Sequence, residues 1–154
     1  MNHVLAIDLA TGEVSASEFP LSGPLLNAVE PARPWLRDAE GDYALDGSGL
    51  WAGKRWRVIL LRDEGGRRSV RLRWLDGYCQ AVWDDSVKPQ APGCEAERDL
   101  LVRLLSRQLG RGPDERSNPV VRFHLPWGEV LVRTVLQNLD CWIELRYRAA
   151  AAAI

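Results

Sequence analysis

Residues 55–83 read RWRVILLRDEGGRRSVRLRWLDGYCQAVW, and the fold turns on how they pair. Arg55 to Arg62 and Arg68 to Leu75 are rich in strand formers, with Asp63-Glu64-Gly65-Gly66-Arg67 between them. With Glu64-Gly65-Gly66 as the loop and Asp63 opposite Arg67, Trp56 meets Trp74, Val58 meets Leu72 and Leu60 meets Val70. Every pair on that face is apolar. A slip of one residue would set apolar residues against Arg71 and Arg73, so the register is strongly specified. The glycines suit a three-residue loop with one left-handed residue and a bulge. Asp76-Gly77 then signals a second tight turn. It predicts a third strand, with Tyr78 opposite Leu75, Cys79 opposite Trp74, Ala81 opposite Leu72 and Trp83 opposite Val70. Two turns agree on one apolar face, so a three-stranded meander is expected over about 55–84.

A second meander is expected over about 120–148. Val120 to Leu125, Glu129 to Leu136 and Cys141 to Arg148 alternate in polarity. A Trp127-Gly128 turn pairs Leu125 with Val130, Phe123 with Val132 and Val121 with Thr134. A turn at Gln137 to Asp140 pairs Leu136 with Cys141, Thr134 with Ile143 and Val132 with Leu145. A helix over 129–139 is the competing reading, and the β-branched content favours strand. Between the meanders, Ser86 to Gly93 is a Pro-containing connector and Glu95 to Leu109 is the main helix. Leu101, Leu104, Leu105 and Leu109 share its inner face, with Glu97, Arg98 and Arg107 outside and Gly110 as the stop. Arg111 to Asn118 reads as a polar loop.

Before residue 55 the pattern is weaker. His3 to Leu9 and Val14 to Phe19 predict a hairpin around Ala10-Thr11-Gly12-Glu13. Ser22-Gly23-Pro24-Leu25-Leu26 reads as a cap and a short helix that Pro31 and Pro34 end. Residues 38–50, with Asp38, Gly41, Asp42, Asp46, Gly47 and Gly49, read as a long loop. The expected class is α+β, mostly antiparallel, in one domain over 1–154 with a frayed tail at 149–154. Whether the two meanders join into one sheet or stack as a sandwich is open at this stage.

The chain has 154 residues, 46% hydrophobic and 27% charged, which excludes disordered and collagen-like classes. Seven Trp are present, most of them expected in the core and one or two on a recognition surface. The start lacks a signal-peptide pattern and no long apolar run exists, so a cytoplasmic protein away from membranes is expected. The 18 Arg against two Lys suggest a GC-rich bacterial source. Residues 1–50 hold eight acids and two bases, whereas 51–154 hold thirteen acids and eighteen bases.

Motifs of chemistry are missing. His3 and His124 form no metal-ligand spacing, and Cys79, Cys94 and Cys141 form no CxxC, so neither metal nor cofactor is expected. No nucleotide loop or nucleophile motif occurs, and no catalytic residue is nominated. Cys94, at the helix start, is the one cysteine with a functional case; Cys79 and Cys141 face inward. What stands out is the outer face of the first meander, carrying Arg55, Arg57, Arg71 and Arg73 with Tyr78 beside them. Opposed arginines need acidic partners. Either the acidic segment with Glu30, Asp38, Glu40, Asp42 and Asp46 covers them, or the face binds an anionic partner. The pI near 6.1 and the scarcity of Lys count against nucleic acid.

By elimination the expected role is a non-enzymatic bacterial protein-binding module, such as an adaptor or a toxin-neutralising immunity protein, able to homo-oligomerise. An enzyme with an unrecognised site, and a nucleic-acid or anionic-ligand binder using the Arg face, are the alternatives.

Overall fold

The computed structural model describes residues 2–16, 19–22, 35–37, 42–62 and 68–148. The class is α+β, with a mostly antiparallel sheet and one main helix. The strands are β1 (Asn2–Asp8), β2 (Glu13–Ala16), β3 (Phe19–Ser22), β4 (Trp35–Arg37), β5 (Tyr43–Leu45) and β6 (Ser48–Trp51). Then come β7 (Lys54–Arg62), β8 (Arg68–Trp74), helix α1 (Tyr78–Trp83) and helix α2 (Ala91–Leu109). The chain continues through β9 (Glu115–Arg116), β10 (Val120–Leu125), β11 (Gly128–Val135) and β12 (Asp140–Tyr147). Sheet order is β3-β2-β1-β6-β7-β8-β12-β11-β10-β9, with β5 also pairing β7 and β4 pairing β5.

The β7–β8 hairpin has the expected register: Trp56 opposite Trp74, Val58 opposite Leu72, Leu60 opposite Val70. Its loop lies outside the described residues. The expected third strand is corrected. Residues 78–83 form α1, and the free edge of β8 is taken by β12, with Leu72 opposite Ile143 and Val70 opposite Leu145. Opposite Leu72, Ile143 covers more apolar surface than Ala81 could, and burial scales with that area. The two halves therefore join edge to edge in one sheet.

The second meander forms, and strand rather than helix occupies 129–135. Its register is two residues away from the expected one at both turns. Leu125 pairs with Gly128, Phe123 with Val130 and Val121 with Val132, because Pro126-Trp127 is the turn. Thr134 pairs with Cys141 and Val132 with Ile143, because a 3-10 turn at Leu136–Asn138 and a left-handed Leu139 (φ 49°) close the loop. A shift of two keeps every side chain on its face, so the apolar side was right although the partners were not. Gly128 is required by closeness, since a Cβ there would enter the backbone carbonyl of Arg146.

α2 starts one turn earlier than expected, with Pro92 in its first turn, and Gly110 (φ 69°) ends it. Leu101 and Leu105 are buried against the sheet. Glu97 is corrected: it faces inward and is only 4% exposed. The polar stretch 38–50 is not one loop, for β5 and β6 fall within it. Tyr43 and Leu45 turn inward, and Gly49 lets β6 lie against the Leu5 side chain. The N-terminal hairpin pairs Leu5 with Ala16 and Ile7 with Val14. Its expected return strand is split, with β3 folding back on β2, so Ser22 ends a strand rather than capping a helix. The short helix expected after it lies outside the described residues. The β1–β2 turn is pinned to the far end of the sheet. Trp127 Nε1 donates to the Leu9 carbonyl at 2.8 Å and the Tyr147 hydroxyl donates to the Gly12 carbonyl at 2.7 Å.

Candidate functional site

The four arginines stay on the outer face of β7 and β8, and three of them have acidic partners on nearby strands and turns. Arg55 pairs with Asp76 at 2.6 Å, Arg73 with Asp140 at 2.8 Å and Arg71 with Glu144 at 3.5 Å. Of the acids expected to cover this face, Glu30, Asp38 and Glu40 lie outside the described residues. The Arg55 bond holds the Asp76 carboxyl below its ordinary range. Trp142 of β12 lies under two of the cations, with the Arg71 and Arg73 guanidinium carbons 4.2 and 5.0 Å from its ring centre. Burial lowers the Arg71 pKa, and the Nε atoms of Arg71 and Arg73 are buried without a hydrogen-bond partner. Arg57 differs from the other three. It is exposed, opposite Arg73, and no carboxylate pairs with it among the described residues.

Tyr78 is not on a strand opposite Leu75. It opens α1, its hydroxyl donates to the Lys88 carbonyl at 2.6 Å, and it accepts the Gln90 N–H at 2.7 Å. Its ring fills the space next to Gly93. Tyr78 thus anchors the connector between the helices.

Arg57 and Arg73 instead meet residues that sequence reading did not bring together. They line a pocket of about 450 Å³ with Trp74, Cys79, Gln80, Trp83, Glu97, Asn138, Leu139, Asp140 and Cys141. The pocket exists because α1 leaves the sheet after Trp74 and β12 begins beside it. Trp83, at the end of α1, is 81% exposed, the most exposed large apolar side chain among the described residues. The count of seven Trp was the only sequence signal for it. Its exposure depends on residues 78–83 being helical, because a strand would have turned it toward Val70.

The inner wall is chemically distinct. Glu97 Oε1 accepts the Cys79 N–H at 3.2 Å, and burial pushes its pKa up. Cys79 and Cys94 place their sulfurs 3.5 Å apart, and Cys94 also points at the Asp140 carbonyl, at 3.5 Å. All three cysteines are buried free thiols, and burial raises the pKa of each. Raised thiols carry little thiolate at neutral pH, so they are poor nucleophiles. Among the described residues no group of three or more His, Cys, Asp or Glu is placed to hold a metal ion. His124 is exposed, 3.4 Å from Glu115. Among the described residues no helix is long and apolar enough to cross a membrane.

Comparison with protein-family models, with curated proteins and with solved structures finds no match for the chain.

Proposed function

We propose that this protein is a non-enzymatic binding module that docks an acidic segment of a protein partner at the mouth of the Arg57–Trp83 pocket. One observation carries the reading: a cation with no carboxylate partner among the described residues and a largely exposed Trp share one pocket. Trp and Arg dominate binding hot spots, because each presents a large contact area with few rotatable bonds spent per contact. Gln80 and Asn138 add amides to the same lining. An adaptor, or an immunity protein that occludes a toxin, would use such a site.

The test is a photo-crosslinking residue at position 80, which lines the same pocket and leaves Trp83 in place, introduced into the protein in its source cell. A discrete crosslinked product is expected, one that Arg57→Glu abolishes and rising salt weakens. A product whose yield ignores both Arg57→Glu and salt would refute the charge-based reading, and no product at all would refute the site.

A further inference from the structure

We propose that Cys79 and Cys94 form a reversible disulfide that joins α1 to α2, with a small-molecule disulfide such as oxidised glutathione as the oxidant. The inference does not rest on the binding reading above. Three observations carry it. The two sulfurs are already in contact at 3.5 Å, from positions 15 apart in sequence on α1 and α2. Cys79 lines the pocket and can be reached from it, whereas Cys94 has no exposed surface and lies behind. Cys79 sits on a helix of six residues, the element here most able to make the small shift that a sulfur–sulfur bond needs.

Cys141 also lines the pocket, but it is a worse partner. It sits in β12, paired on one side to Thr134 of β11, and its sulfur lies 3.9 Å from the Thr134 hydroxyl. The geometry therefore selects one pair out of three thiols.

The chemistry is two exchanges. Cys79 loses its proton and its thiolate attacks one sulfur of glutathione disulfide. That S–S bond breaks, and one glutathione leaves and takes up a proton. Cys94 then loses its proton and attacks the Cys79 sulfur, displacing the second glutathione. The protein thiols give up two electrons and two protons, and one glutathione disulfide becomes two glutathione thiols. Arg57 in the lining favours entry of the anionic disulfide. The groups facing the thiols are Glu97 and Arg98 of α2 and Asp140 and Cys141 of β12. Burial and the carboxylates hold the thiols protonated, so the reaction is slow near neutrality. Its rate should rise about tenfold per pH unit from 7 to 9, following the thiolate fraction.

The test uses the full folded chain with excess oxidised glutathione, followed by acid quench, denaturation, alkylation and peptide mass mapping. Expected is a species lighter by two hydrogens, with Cys79 linked to Cys94 and Cys141 alkylated. Cys94→Ala should stop at a mixed disulfide of Cys79 with glutathione, and Cys79→Ala should give no adduct. Reduction with dithiothreitol should restore three alkylated thiols. A link involving Cys141, or three alkylated thiols after incubation at pH 9 to constant composition, would overturn the proposal. Wild-type mapping alone decides this if a variant fails to fold.

Discussion

Glu97 Oε1 accepts the backbone N–H of Cys79 at 3.2 Å, so a carboxylate from α2 closes the start of α1. α1 has no cap of its own. Gly77 precedes it with extended backbone and no side chain to offer. The first N–H groups of a helix need an acceptor when buried, and here a residue far along the chain supplies it. Glu97→Ala should cost about 1–3 kcal/mol in urea unfolding, the price of a buried donor left unsatisfied. Glu97→Gln keeps an acceptor oxygen and should cost clearly less.

The same carboxyl makes stability depend on pH. Burial raises its pKa in the folded chain above the ordinary 4.5. The folded state then holds a proton that the unfolded state releases. Its stabilising contribution is complete below the unfolded value and is lost as pH rises through the folded one. The slope of stability against pH above 4.5 should be less negative in Glu97→Gln than in the wild type. Identical slopes would show that Glu97 titrates normally.

Gly77 leaves the room that this cap occupies. Its φ of −86° suits any residue, so the demand for glycine is steric. A Cβ would enter the Glu97 carboxylate and come within 2.8 Å of the Trp74 ring. Gly77→Ala should destabilise by about 1–3 kcal/mol. The penalty should shrink in a Glu97→Ala background, with a coupling of at least about 0.5 kcal/mol in a double-mutant cycle.

The seam between β8 and β12 can be weighed against the pocket rim. Ile143 is fully buried opposite Leu72, whereas Trp83 is exposed. Ile143→Ala should cost about 2–5 kcal/mol. Trp83→Ala, although it removes a larger side chain, should stay within about 0.5 kcal/mol of wild type. A large loss of stability in Trp83→Ala would mean that the ring supports the fold and is not held out for a partner.

Trp127 ties the first hairpin to the last. Trp127→Phe removes the Nε1–H bond to the Leu9 carbonyl and should cost about 1–3 kcal/mol. Amide exchange should speed up most at Thr11 and Gly12, whose N–H groups bond Asp8 in that turn.

Legibility followed the range of the interactions. The β7–β8 register was readable because a one-residue slip exposes Arg71 and Arg73 to the core. The strands of 120–147 were readable too, but a shift of two preserves the apolar face, so Phe123 and Val130 could not be told from Phe123 and Val132. Residues 78–83 were misread because their alternation suits a strand. Their state is decided by Ile143 and Glu97, neither of which is local. The pocket was lost with them. Arg57 and Arg73 were singled out correctly as neighbours, while Trp83, Gln80 and Asn138 reach them only through α1 and the Leu136–Asn138 turn. Tyr78 was placed on a strand for the same reason.

The β8–β12 junction has a consequence for how the chain assembles. The β7–β8 hairpin and the β10–β11–β12 meander each pair residues close in sequence, so each can form early and alone. Joining them must wait for Leu72 to find Ile143 across the whole length of both helices. A chain nicked between Ser86 and Gln90, in the segment before α2, is therefore expected to stay together as two pieces held by that ladder, by the contacts of α1 with α2, and by the Trp127 and Tyr147 bonds to the first hairpin.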